Sequence, residues 1–163
     1  MKTIKNLLLF SSLMIILLGC PDKNTPEPSS AELQLEKLTG AYNSSSSKTW
    51  GTTSVKFGGT EDRTADWANF TITISTNGSG TNNYSTANAF SPGPWPASGT
   101  WSFGGTADNP NINQVVRGED GLEIAVAVDG TTLTLTFTFD DTVHAGGRAE
   151  AVNGEYVFSM TAQ

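Results

Sequence analysis

Large apolar residues and polar ones alternate along most of this chain. In TLTLTFTF, residues 132–139, Leu133, Leu135, Phe137 and Phe139 fill every second position with threonines between them. LEIAVAV does the same with Leu122, Ile124, Val126 and Val128, NFTITIS with Phe70, Ile72 and Ile74, GTWSF with Trp101 and Phe103, and GEYVFSM with Tyr156, Phe158 and Met160. A period of two over four to eight residues predicts strands with one dry face and one wet or weakly polar face. Weaker runs at 48–57, 82–86 and 113–117 extend the set. Asn77-Gly78, Asp120-Gly121, Asp129-Gly130 and Asn153-Gly154 separate several of these runs and supply the positive φ that tight hairpins need. One early stretch breaks the period: AELQLEKL, residues 31–38, with Ser30 as N-cap, Leu33, Leu35 and Leu38 as its apolar side and Gly40 as its stop, predicts a two-turn helix.

Successive short strands joined by hairpins, with no helices interleaved, predict an all-β antiparallel meander of about eight strands behind a short N-terminal helix. Such a meander closes on itself as an up-and-down barrel or folds into a two-sheet sandwich, and alternation is common to both.

The amino terminus follows another pattern. Residues 1–6 carry Lys2 and Lys5 and no acid, residues 7–18 form an apolar run of 12 residues broken only by Ser11 and Ser12, and Gly19 precedes Cys20, the single cysteine. A bilayer-spanning helix needs about 20 apolar residues, so the run reads as a signal-peptide core. Leu17-Leu18-Gly19-Cys20 resembles the lipobox of bacterial lipoprotein precursors. That resemblance implies removal of residues 1–19, a diacylglyceryl thioether on Cys20 and an acylated amino group, so that the protein's first partner is a lipid bilayer. Each buried methylene adds roughly 0.8 kcal/mol, and several chains on one cysteine make a lasting anchor. Residues 20–30, with three prolines and no large apolar side chain, read as the lipidated cysteine and an extended tether. Residues 31–163 then form one domain, which has no disulfide to draw on.

A further resemblance bears on the choice between barrel and sandwich. EKLTGAYN, residues 36–43, looks like the lipocalin approach to the first strand, with Tyr42 where that family carries tryptophan. Together with the lipobox, the Pro-rich tether, SGTWSF and NGEYVFSMT, it is similar to the lipocalin-like lipoproteins of Gram-negative bacteria. The resemblance implies a lipocalin-like barrel anchored in the cell envelope, on its periplasmic face or its surface. It also implies a barrel-closing cation–π contact between Tyr42 and Arg148, which follows from the family's late arginine packing on its tryptophan.

Charge and chemistry narrow the function classes. Loss of residues 1–19 removes two lysines and no acid, leaving 7 basic residues against 16 acidic, a formal charge of −9 that opposes nucleic-acid binding. His144 is the only histidine, so a multi-imidazole zinc site is excluded and no nucleophile–base set can be nominated; a surface histidine is the plainer reading, and neither enzyme nor cofactor is expected. Asp140 and Asp141 lack the spaced oxygen ligands of a calcium loop and read as turn residues, with no metal expected. Thr142, in Asp141-Thr142-Val143, resembles the short sequence that some Gram-negative bacteria O-glycosylate. Phe-Gly-Gly-Thr at Phe57 and Phe103 reads as two similar turns.

Trp50 and Trp101 fall on predicted strands and read as core. Trp95 stands between Pro94 and Pro96 in an unpatterned loop, which nominates it as a rigid stacking plate at a barrel mouth for an apolar or glycan-like ligand, with Trp67 as its neighbour. The competing reading is a loop that plugs the barrel with its own indole. The leading function is thus a membrane-anchored binding module, and the alternative an envelope structural or interaction protein whose barrel is filled by its own side chains.

Overall fold

The computed structural model describes residues 26–144 and 153–163. Cys20, the apolar run before it and Arg148 therefore lie outside the described residues.

The helix α1 runs from Ser30 to Thr39. Its N-cap is Ser29, one residue earlier than the sequence suggested: the Ser29 hydroxyl accepts from the Glu32 amide, and Glu32 accepts in return from the Ser29 amide, closing a capping box. Gly40, at φ 97°, ends the helix in the left-handed region that glycine enters without penalty. The apolar side differs from the expected one. Leu38 is buried and Leu35 partly so, but Leu33 is exposed and Gln34 takes an inward place. Residues two apart on a helix point roughly 200° from each other, so Leu33 and Leu35 cannot share a face.

Nine strands follow among the described residues: β1 (Ser46–Phe57), β2 (Glu61–Asp62), β3 (Thr71–Thr76), β4 (Asn82–Ala87), β5 (Ser98–Gly105), β6 (Pro110–Arg117), β7 (Glu123–Asp129), β8 (Thr132–Phe139) and β9 (Gly154–Ala162). β1 and β3 to β9 pair antiparallel in chain order, and β9 returns to β1 through a ladder from Trp50 opposite Ala162 to Phe57 opposite Tyr156. That last pairing makes the fold a closed eight-stranded up-and-down barrel of lipocalin-like form and removes the sandwich alternative. A closed ladder has no free edge to protect. β1 manages two neighbours through a bulge between Thr52 and Ser54; beyond it, β2 and the Thr64 hydroxyl take the strand's outer hydrogen bonds.

The alternation is obeyed. Leu133, Leu135, Phe137 and Phe139 are buried, as are Ile72, Ile74, Ile124, Val126, Tyr156, Phe158 and Met160. Thr49, Thr73 and Ser85 stand at one level on the opposite face of β1, β3 and β4. Apolar inside and hydroxyl outside is the inverse of a barrel that faces lipid with its outer wall. The β7–β8 hairpin turns over Gly130 and Thr131, with Gly130 at φ 56° in the first central position, where a type II′ turn takes glycine.

One barrel end is covered by α1, whose Leu38 lies under Trp50; the Trp50 indole N–H donates to the Leu38 carbonyl at 3.2 Å, and Lys48 Nζ sits 4.2 Å from the Trp50 ring. Tyr42, half-buried in the loop after α1, stands at this end, where the cation–aromatic contact among the described residues is Lys48 on Trp50. The opposite end carries the 3-10 turn Thr64–Trp67, residues 88–97, the β6–β7 turn and the short helix α2 (Asp141–His144).

Candidate functional site

The site is built where residues 88–97 turn into the barrel. β4 and β5 pair only over Asn82–Ser85 and Ser98–Trp101, so ten residues connect the strands without a ladder of their own. They are held at their base by Thr86, whose amide donates to the Ala97 carbonyl at 2.8 Å and whose hydroxyl donates to the Pro96 carbonyl at 2.7 Å. Asn88, at φ 54°, reaches across to the Asn69 carbonyl at 3.0 Å.

Trp95 hangs from this loop into the interior. It is 5% exposed and sits among four rings: Phe137 at 5.4 Å, Phe70 and Phe158 at 6.0 Å, and Tyr84 at 6.2 Å between centroids. The stacking plate at an open rim is therefore corrected to the competing reading, an indole that plugs the barrel. Trp67, 2% exposed, belongs to the same packed end, edge-on to Phe70 at 5.1 Å and Phe158 at 4.9 Å. The cause is area: two indoles beside an apolar interior gain more by leaving water than by waiting at its surface. Neither presents a face to a sugar.

Arg117, which the sequence reading passed over, organises the site. It lies opposite Trp101 on β6 and in phase with Val115, and so points inward; it is 1% exposed. Its Nε donates to Asp120 Oδ1 at 2.8 Å, Nη2 to Asp120 Oδ2 at 2.5 Å, and Nη1 to the Pro94 carbonyl at 2.7 Å. The guanidinium carbon stands 5.7 Å from the Trp95 ring centroid. A buried guanidinium needs a carboxylate and a filled donor set, and these three bonds tie the loop of Trp95 to the β6–β7 turn. Burial pushes the Asp120 carboxyl up, but the hydrogen bonds and charge of Arg117 outweigh it and hold the group below the usual carboxylate range. A cation in the dry phase of a strand, followed three residues later by an acid in a turn, was the signal available in QVVRGED.

Glu119 braces the same turn, accepting from the Thr100 amide at 2.6 Å and from the Tyr84 hydroxyl at 3.2 Å. Gly99 makes room for it: a Cβ there would stand 2.2 Å from the Glu119 carboxylate. Burial raises the Tyr84 hydroxyl far above the ordinary tyrosine value, so it stays a neutral donor.

Between Trp95 and Leu38 remains a void of about 30 Å³, walled by Ile74, Trp101, Val126 and Leu135 together with Tyr84 and Arg117. That is room for about two waters. Beside it, Trp95 Nε1 is buried with no hydrogen-bond partner among the described residues, whereas Trp50 and Trp101 donate to the Leu38 and Asn83 carbonyls.

The other nominated residues lie elsewhere or do plainer things. Asp140 Oδ1 accepts from the Thr142 amide and hydroxyl at 2.9 and 2.6 Å, and Asp141 exchanges hydrogen bonds with Asn153, so both carboxylates hold a turn. Thr142 is exposed on α2. His144 is half-buried with Nδ1 3.1 Å from the Asp120 carbonyl oxygen. Among the described residues no three His, Cys, Asp or Glu side chains are grouped to hold a metal ion. No family model, curated protein or solved structure matches this chain.

Proposed function

We propose that the protein is a lipid-anchored envelope lipoprotein whose barrel is a small binding module for a compact apolar ligand. One observation carries this reading: at the end of the interior that faces away from α1 a loop side chain, Trp95, covers an almost wholly apolar pocket, whose residues Arg117 and Tyr84 turn their polar atoms away to Pro94, Asp120 and Glu119. A concave, predominantly apolar lining is the usual make-up of a small-molecule site, and one without free polar groups suits an apolar ligand. The anchor rests on residues 7–20, and the hydroxyl-rich outer wall suits a domain standing in water beside a membrane. α1, which the tether joins, covers the other end, so the Trp95 end is the one turned away from the tether. Catalysis forms no part of this reading, and with both tryptophans inside, neither does glycan stacking.

A filled barrel that works only through its surface is the second reading, and the smallness of the void, about 30 Å³, favours it. Titration of the domain with fatty acids, ring-sized apolar compounds and glycans, followed by tryptophan emission, separates the two. The binding module requires that at least one apolar compound saturate with a shift in emission; silence across the apolar set leaves the filled barrel.

A further inference from the structure

We propose that residues 88–97 are a displaceable plug, held by the buried Arg117–Asp120 pair, and that a flat, uncharged, ring-sized molecule binds by taking the place of the Trp95 indole. The inference rests on the binding-module reading and names its ligand class and its gate.

Space comes first. The void admits about two waters, so anything larger must displace something. Tyr84, Phe137 and Phe158 are strand side chains whose backbones are fixed in the barrel ladder. Trp95 is the central ring carried by a loop that lies outside the barrel ladders; its bonds to a strand, from Thr86 to the Ala97 and Pro96 carbonyls, are at its base, so swinging the indole out breaks no bond between barrel strands.

The hydrogen-bond account points the same way. Inside, the Trp95 N–H has no partner among the described residues; outside, water supplies one. A buried donor left unpaired costs free energy that its exposure recovers, so the plug is held less firmly than its contact area implies. A ring without a buried donor fits the same slot and leaves nothing unpaired.

The latch sets the ligand's chemistry. Arg117 holds the plug at the Pro94 carbonyl and lies against the Trp95 ring, while Asp120 saturates the other side of the guanidinium. A visitor in the indole's place inherits that guanidinium neighbour, which favours an electron-rich aromatic face and disfavours a cation. With Asp120 already paired to Arg117, a carboxylate would arrive beside like charge.

The test uses the chain from Pro26 to Gln163, whose core is built within the described residues, and the neutral, donor-free dye 1-(dimethylamino)naphthalene, whose emission rises in an apolar slot. Wild-type protein should bind it with a rate that levels off as dye concentration rises, because plug opening becomes limiting. Asp120→Asn, which weakens the latch, should bind roughly tenfold more tightly, the tightening expected when the open fraction rises by that factor. Trp95→Ala should bind with a rate that no longer levels off. Independently of any variant, the Trp95 indole N–H should exchange with solvent roughly 100-fold faster than those of Trp50 and Trp101, because local opening requires less than global unfolding; this measurement decides the matter should Asp120→Asn fail to fold. Dye binding with unchanged affinity in Asp120→Asn, and Trp95 exchange no faster than Trp50, would overturn the plug while leaving a binding module with its site elsewhere. No binding by wild type and Asp120→Asn, or binding by Trp95→Ala alone, would likewise overturn the plug, and only silence across the apolar set as well would overturn the binding module and leave the filled barrel.

Discussion

Truncating Phe137 to alanine tests the packing of the barrel most directly. Phe137 is 3% exposed, stacks on Tyr156 at 5.5 Å and 18° and on Phe158 at 6.0 Å and 8°, and meets Trp95 edge-on at 5.4 Å. Removal of a buried phenylalanine costs about 3 to 5 kcal/mol in transfer and cavity terms. Each aromatic pair adds about 0.5 to 1.5 kcal/mol beyond its area, and three are lost together, which places this substitution at the upper end. The closed ladder leaves the void little freedom to collapse. Against a total stability of about 5 to 15 kcal/mol, such a loss takes the domain close to unfolding at room temperature. The control is the next residue: Thr136 stands on the outer wall of the same strand, and Thr136→Ala should cost less than about 1 kcal/mol, within the span of strand propensity. Guanidinium unfolding of both variants, read by far-ultraviolet circular dichroism, gives the two midpoints. Equal midpoints would mean that the inward and outward faces of β8 are wrongly assigned.

Arg117→Met should destabilise the domain by about 3 to 5 kcal/mol, because it breaks a buried ion pair, 1% and 5% exposed, and with it the bond to the Pro94 carbonyl; a loss under about 1 kcal/mol in urea unfolding would refute the weight given to the pair. Asp120 has a lowered value in the fold, so its contribution is complete above the ordinary aspartate value of about 3.9 and is lost as pH falls through the lower folded value. Urea midpoints should thus hold level from neutrality to about pH 5 and drop below about pH 4, with a shallower acid limb in Asp120→Asn; an identical limb would exclude this carboxylate as the cause. Asp62, held near 2 by Thr64 and Lys56, is fully exposed and should add little to that limb. Cys20→Ser expressed in a bacterial host should abolish palmitate labelling and leave uncleaved or soluble precursor, and mature protein that stays fatty-acylated would refute the lipid anchor.

What the sequence determined by itself was local. The strict alternation of β8, with leucines and phenylalanines inward and threonines outward, specifies both the strand and its buried face, because successive side chains of a strand point to opposite sides. Gly130 at the β7–β8 turn and Gly40 after α1 were legible for the same reason: each answers a backbone demand made within a few residues. Even the helix shows the limit of that range, since Ser29 displaced Ser30 as the cap and Leu33 turned outward over two short turns. Closure was settled only in three dimensions. The ladder of β1 with β9 joins Trp50 to Ala162 across more than a hundred residues, and no local pattern records a register between segments so far apart. The direction of Trp95 is of the same kind, for the flanking prolines restrict its backbone φ but say nothing of which way the loop folds, and the interior of Phe70, Tyr84, Phe137 and Phe158 that receives the indole exists only once four separate segments have met. Arg117 stands between the two cases: its inward phase could be counted from Val115, but its tolerance of burial depended on a carboxylate, a carbonyl and a ring that tertiary structure alone assembled around it.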